Sequence, residues 1–241
     1  MLQLTIGRFI TASSRATTSA IPSHFDKVNH SKLISKLKSI GVSNQVSNWV
    51  QNLLADRSQV VVVDGYASSP CPVTSGVLQG SVIGPILFLV YINDLPDTVA
   101  SKTRLVADDT VIYNTSENHQ SLQKDLDALQ AWEKGWKMEF NPLKCEHIEF
   151  SRKRSKGLDN TYILHNIAVP KTDSVKYLGV KLESGLKWND NTTYITNKAS
   201  SRLGYVRRTL PPTLPHLRAQ AYSPLVRPIL EYSSSVWDGS L

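Results

Sequence analysis

The sequence predicts an α+β fold, and three observations lead there. Turn signals such as Asp64-Gly65 and His165-Asn166 separate short β-branched runs, the pattern of antiparallel hairpins. Apolar residues recur at three- and four-residue steps at Leu122, Leu126, Leu129, Trp132 and Trp136, the stripe of an amphipathic helix. The 241 residues are 41% hydrophobic and 20% charged, which reads as a globular chain able to bury a substantial core in one large domain or two modest ones.

Taken in order, residues 1–24 show no sustained periodicity and are expected to be irregular. Arg8 and Arg15 with many Ser and Thr and no acid leave two readings, a transit peptide or a ragged start. Leu33, Leu37 and Ile40 mark a helix over 31–40 that Gly41 stops. Ser43 is placed to cap a second helix whose inner face would be Val46, Trp49, Val50 and Leu53. Gln59–Val63 reads as a strand, returning through Asp64-Gly65 towards Val73. Gly76, Gly80 and Gly84 then form a loop whose backbone can approach a ligand closely. Pro85 suits the first turn of a buried helix running to about Leu95.

The short runs around Leu105-Val106 and Val111-Ile112 read as two strands joined at Ala-Asp-Asp-Thr. Ser116 can open the long tryptophan-bearing helix, with its tryptophans in the core. Asn141-Pro142 turns the chain into a strand ending near Phe150. The basic run Arg152, Lys153, Arg154, Lys156 reads as a solvated loop or a phosphate contact. Tyr162–Leu164 and Ile167–Val169 form a hairpin, and Ser174–Leu182 a further strand. From Asn189 a helix carries Ile195, Ala199 and Leu203 on one face and Arg202, Arg207 and Arg208 on another. Pro211-Pro212 ends it, a shorter helix follows, and the closing LEYSSSVWDGS is apolar with nothing evident to pack against it.

The chemistry concentrates at Asp108 and Asp109. Adjacent acids are common in turns as solvated residues, but burying them between strands is expensive unless a cation receives them. A carboxylate pair at a hairpin tip suits a hard divalent cation such as Mg²⁺. The net charge of +7 favours a polyanionic partner, although a basic surface also serves solubility. Cys71 and Cys145 make neither a disulfide framework nor a zinc cluster, so a reducing intracellular compartment fits, cytoplasm or nucleus. The longest apolar run, Val82–Ile92, is shorter than the ~20 residues a membrane span needs.

Read together, FDKVNH, SGVLQGSVIGPILFLVYINDLP, LVADDTVIY, NPLKCEHIEF, KYLGVKLE and LVRPILEYSSSVW, in this order, resemble the reverse transcriptases of non-LTR (LINE-type) retrotransposons from Phe25 onward. The resemblance implies an RNA-directed DNA polymerase of right-hand architecture. Its parts would be a palm of antiparallel sheet with packed helices over 25–172 and a primer-grip hairpin with a truncated helical thumb over 173–241, with no room upstream for fingers. It implies that Asp108 and Asp109 ligate two Mg²⁺ ions and that Gln79 and Gly80 lie against the incoming nucleotide. Phe25 would be the gate beneath the sugar, where a 2′-hydroxyl would clash. Lys144 would assist pyrophosphate departure as a general acid, the alternative being a surface lysine at a strand edge. Tyr177-Leu178-Gly179 resembles the primer grip. The implied partners are an RNA template, a DNA primer and dNTPs, with no membrane and no obligate protein partner.

The sequence departs from the family at several positions. Val106 stands where Phe or Tyr is usual, and Leu78 where Pro is usual. More seriously, the family motif runs Asp-x-x-Lys-Ala-Phe-Asp, and its first Asp, the third metal carboxylate, is Ala20 here, with Ser23 and His24 in place of Lys and Ala. Asp26 lies one residue past the gate and reads more naturally as a turn or cap residue than as a stand-in. In-line phosphoryl transfer depends on charge neutralisation, and each ~1.4 kcal/mol lost is tenfold in rate. An impaired polymerase is therefore expected. The alternatives are a catalytically inactive nucleic-acid-binding remnant and a relic prone to aggregation.

Overall fold

A computed structural model of the chain describes residues 2–8, 24–115, 119–150 and 161–238. Two compact units emerge, Leu2–His147 with Leu158–Lys171, and Ile148–Gly157 with Thr172–Leu241.

In the first unit, strand β1 (Leu2–Arg8) precedes a 3-10 turn at His24–Lys27 and helices α1 (His30–Ser39) and α2 (Asn44–Leu54). The Asn29 side chain accepts from Lys32 N at 3.1 Å to cap α1, and Ser43 Oγ accepts from Val46 N at 3.4 Å to cap α2. The buried face of α2 is Ser47, Val50 and Leu54, while Val46 and Trp49 are about half exposed, so the expected inner face is corrected by a rotation about the helix axis. Strands β2 (Ser58–Gln59), β3 (Val62–Val63), β4 (Tyr66–Ala67) and β5 (Cys71–Pro72) make one interrupted antiparallel ribbon, turning at Asp64-Gly65 as expected. Helix α3 (Ile83–Ile92) buries Leu87, Phe88, Tyr91 and Ile92 but exposes Ile86 and Leu89. It ends before Leu95 and gives way to a 3-10 turn at Leu95–Thr98.

Strands β6 (Lys102–Val106) and β7 (Asp109–Thr115) form the expected hairpin. Its turn is tighter than the sequence suggested, because Asp109 already belongs to the strand. β1 pairs antiparallel with the other side of β7, from Leu2 opposite Thr115 to Arg8 opposite Asp109. This corrects the expectation of an irregular start. Leu2, Leu4 and Ile6 alternate over too few residues for a period-two signal to stand out before a partner strand is known.

Helix α4 (His119–Trp136) buries Leu122, Leu126, Leu129 and Trp132 against this sheet's core, each buried leucine worth ~1.5–3 kcal/mol. Ser116 and the basic run 152–156 lie outside the described residues. A 3-10 turn at Pro142–Lys144 leads into β8 (Glu146–Phe150), and β9 (Tyr162–Leu164) pairs with β10 (Ile167–Val169) through His165-Asn166. Below the helices, Lys36 is buried with its Nζ 2.6 Å from both Tyr91 O and Asp94 Oδ1, and 4.1 Å above the Trp136 ring. Burial lowers its pKa and Asp94 partly restores it.

In the second unit, Ser174–Leu182 is not one strand. It folds back at Leu178-Gly179 into β11 (Ser174–Tyr177) and β12 (Val180–Glu183). Helix α5 (Asn189–Thr209) packs Ala199 and Val206 against Val226, between α6 (Pro215–Leu225) and α7 (Arg227–Glu231). Arg218 donates to Leu210 O and Arg207 O, satisfying carbonyls at the end of α5 with a cation. The closing apolar stretch does find partners. Tyr232, just before α8 (Ser234–Trp237), donates its hydroxyl to Leu178 O at 2.9 Å, and Trp237 donates to Tyr232 O.

Candidate active site

All six residues singled out in the sequence, Phe25, Gln79, Gly80, Asp108, Asp109 and Lys144, lie in the first unit. Backbone hydrogen bonds bring two of their segments together. Val77 N donates to Phe25 O at 2.7 Å, Gly76 N to Val28 O at 2.8 Å, and Ser75 Oγ to Asp26 O at 2.7 Å. The approach is close enough that a Cβ at Gly76, where φ is +93°, would sit 2.7 Å from Asp26 Cα. His30 Nε2 meets Gly76 O at 2.8 Å from the first turn of α1. The Phe25 ring is half-buried and tilted against Phe88, centroids 4.8 Å apart, so the bulky side chain is held from below. Gln79 and Gly80 stand exposed at the tip of the glycine loop. Ser81 fixes the loop's base, donating to Leu78 O and accepting from Gly84 N.

The acid pair sits at the β6–β7 turn. Ala107 takes φ +51° as the first of two turn residues, a costly conformation for a side chain with a Cβ. Asp108 and Asp109 are both half-buried, between full exposure and the core position of Thr110. The hairpin is anchored from behind by Asp125, itself buried on α4, whose carboxylate accepts from Ala100 N at 2.7 Å and Ser101 N at 3.1 Å. Such charge-assisted bonds to backbone amides fix where β6 begins.

Lys144 closes the 3-10 turn that follows α4 and is half-buried. Asn141 shapes this turn: its Oδ1 accepts from Leu143 N and its backbone oxygen from Lys144 N, both at 3.0 Å. Cys145 and Phe140, on either side of the turn, line the same ≈ 10 Å³ void as Thr110 and Ile112 of β7. The turn bearing Lys144 is therefore packed against the strand that begins at Asp109, with almost no empty space.

Asp125 and Glu133 were not singled out in the sequence, yet both are buried and hydrogen-bonded to segments bearing the candidate residues. The signal for them was their place on α4, three residues after Leu122 and four after Leu129, on the face that enters the core.

A metal ion is less well provided for among the described residues. Octahedral Mg²⁺ needs a full oxygen shell, supplied in part by converging carboxylates. Among the described residues no group of three or more His, Cys, Asp or Glu is gathered where it could hold a metal ion. Asp108 and Asp109 alone do not make a two-ion seat, and Ala20 lies outside the described residues.

The second unit holds a cationic cavity. Lys176 Nζ donates to the Tyr194 hydroxyl at 2.8 Å, and the ammoniums of Lys176, Lys181 and Lys198 lie 4.8, 5.5 and 5.9 Å from the Tyr194 ring centroid. The bond from Lys176 draws the phenol below its ordinary pKa. The cavity, ≈ 310 Å³, is lined by Lys176, Gly179, Tyr194, Lys198 and Tyr232 among others. Gly179, at φ +87°, leaves the Tyr232 ring only 3.1 Å from where a Cβ would stand.

The family model for reverse transcriptase (RNA-dependent DNA polymerase) matches residues 12–182. The chain belongs to the reverse transcriptase family. Its match begins upstream of Phe25 and includes every residue of the first unit discussed above except β1. The chain is 29% identical over 232 residues to the RNA-directed DNA polymerase from mobile element jockey of Drosophila melanogaster, covering 88% of this chain. It is 30% identical over 229 residues to the probable RNA-directed DNA polymerase from transposon BS of the same species. The chain spans 25% of the length of each of these relatives. These likenesses identify a partial reverse transcriptase of non-LTR retrotransposon type. The fold is similar to that in the structure of telomerase from Candida albicans in complex with a fragment of telomeric RNA, with TM-score 0.50, 10% identity, and coverage of 84% of this chain and 35% of that one. No described helix is long and apolar enough to cross a membrane.

Proposed function

We propose that the first unit is the nucleotide-handling palm of an RNA-directed DNA polymerase, that the second carries a primer-grip hairpin and part of a thumb, and that this copy is impaired in catalysis. The observation carrying the reading is the pair of backbone hydrogen bonds that lock the Phe25 segment to the Gln79 loop. A sugar gate and a nucleotide loop must share one rigid frame to discriminate between substrates. In this reading Phe25 faces the sugar, Gln79 and Gly80 lie against the incoming dNTP and the template base, and Lys144 donates a proton to the leaving pyrophosphate. Asp108 and Asp109 would supply part of a seat for two Mg²⁺ ions, which neutralise the charge of the transferred phosphoryl group when bound. A third carboxylate is wanting at position 20, which is why the transferred charge goes under-neutralised. The substrates are a primed RNA template and dNTPs. The test is dNTP incorporation on a primed RNA template with Mg²⁺ or Mn²⁺. Little or no extension is expected. Robust extension abolished by Asp108→Ala would overturn the impaired reading while keeping the polymerase one.

A second reading is favoured by the lysine cluster at Tyr194: binding of single- or double-stranded nucleic acid without turnover. Its mark is retention of primer-template that neither chelator nor Asp108→Ala alters, with no extension at any metal concentration.

A further inference from the structure

Helix α4 reaches the Lys144 turn through one buried carboxylate. Glu133, with 4% of its side chain exposed, uses both oxygens. One meets His165 Nε2 at 2.6 Å, in the β9–β10 turn, and the other accepts from Phe140 N. The neighbouring polar side chains of α4 grip the same hairpin. Gln123 donates to Ile163 O and accepts from Ile163 N, both at 2.9 Å, and Gln130 accepts from His165 N at 3.2 Å. The hairpin is thus held rigidly to α4, and His165 offers Glu133 a fixed point to pull against. From Phe140 the chain of contacts continues through Asn141, whose side chain and backbone oxygens accept from Leu143 N and Lys144 N. Phe140 and Cys145 then meet Thr110 and Ile112 of β7 around a void too small to allow slack.

We propose that Glu133, braced by His165, is a positioning residue that seats the 138–145 turn and so holds Lys144 beside the strand that starts at Asp109. The proposal rests on the reading of Lys144 as a nucleotide-site lysine only for its functional meaning; the seating itself is a separate claim. A buried carboxylate bridging two elements is costly to desolvate and carries no advantage over an apolar side chain for packing alone. Its use here is directional, since it fixes an amide and a ring nitrogen at once. An error of about 1 Å in a proton donor's place is enough to cost a reaction ~100-fold.

Cys145 supplies a reporter that needs no catalysis. It is 2% exposed, and the chain's other thiol, Cys71, is exposed, so Cys71→Ser leaves a single buried probe in the turn. The measurement is the labelling rate of Cys145 in the folded protein relative to the unfolded protein at the same pH. In the Cys71→Ser background, Glu133→Ala is expected to lose about tenfold or more of this protection through local opening. Glu133→Gln, which can still accept from Phe140 N and donate to His165, is expected to stay within about twofold. Val50→Ala, a core truncation on α2, serves as the control for general destabilisation. Where Glu133→Ala does not fold, His165→Ala replaces it and is expected to lose protection beyond that control. The proposal is overturned if the disruptive variant is no more reactive than Val50→Ala at matched melting temperature, or if Glu133→Gln behaves like Glu133→Ala. Lys144→Ala separates the two claims. If it leaves the residual Mn²⁺-supported dNTP incorporation unchanged while Glu133→Ala exposes Cys145, the seat stands and the role of Lys144 as proton donor falls.

Discussion

Gly76 is where two motifs far apart in sequence touch through their backbones. Gly76→Ala would drive a Cβ to 2.7 Å from Asp26 Cα and 2.9 Å from Phe25 O, at a φ that L residues avoid. Backbone cannot yield as a side-chain tip can, so a loss of at least about 2 kcal/mol is expected in urea denaturation, together with weakened dNTP binding. Much at this scale was legible. The acid pair stood out because two carboxylates between apolar runs demand an explanation, and the glycines because their spacing allowed close approach. What one strand of text could not show was the partner in each contact. Nothing near Phe25 says that its carbonyl accepts from Val77, and nothing near Asp125 says that it receives Ala100 and Ser101. Buried acids on helices look like solvated ones until the face they occupy is known.

Elements with their own turn chemistry were readable, and those that depend on neighbours were not. The β9–β10 hairpin falls where expected because His165 and Asn166 take φ of +50° and +62°, and Asn tolerates that region well. By periodicity SVKYLGVKL reads as one strand, because its apolar residues run on across Leu178-Gly179, where the chain reverses; the hairpin there is implied only by the family resemblance. The buried faces of α2 and α3 differ from the apolar pattern for a related reason, since an apolar residue is buried only if another element arrives to cover it. Helix α4 carries a prediction of its own. Burial raises the Glu133 carboxyl above its ordinary 4.5, while Phe140 N and His165 act in the opposite direction and Glu139 adds to the rise. The groups facing it are His165 from the β9–β10 turn and Glu139, itself paired with Lys27 at 3.1 Å. A raised folded-state value means the native protein holds this proton more tightly than the unfolded chain does. The stability it contributes is complete below pH 4.5 and is lost as pH rises through the raised value. The melting temperature of the wild type is therefore expected to fall relative to Glu133→Gln as pH climbs from about 4 to 7. Parallel melting curves across that range would show that the carboxyl titrates alike in both states.

At the scale of the whole molecule, family and broad architecture came from the order of the blocks, because each motif constrains the next. The basic balance carried the expectation of a polyanionic partner, and the second unit gathers three lysines around one tyrosine. Lys176→Ala and Lys198→Ala are each expected to weaken nucleic-acid binding and to reduce the slope of log affinity against log salt by about 0.7–0.9. An unchanged slope in both variants would exclude that cavity as a phosphate contact. The least legible feature was β1, seven residues with a faint alternation that acquire meaning only once β7 is present to receive them.

That pairing makes the acid strand's integrity hostage to the far end of the polypeptide. β1 supplies the main-chain partners along one flank of β7 from Thr115 to Asp109. A proteolytic nick or a clumsy affinity tag there would strip that flank and leave its amides and carbonyls hungry for another strand. A variant lacking residues 2–8 should elute from a sizing column as dimers or larger species borrowing strands from one another, whereas the intact chain should not show that route to self-association.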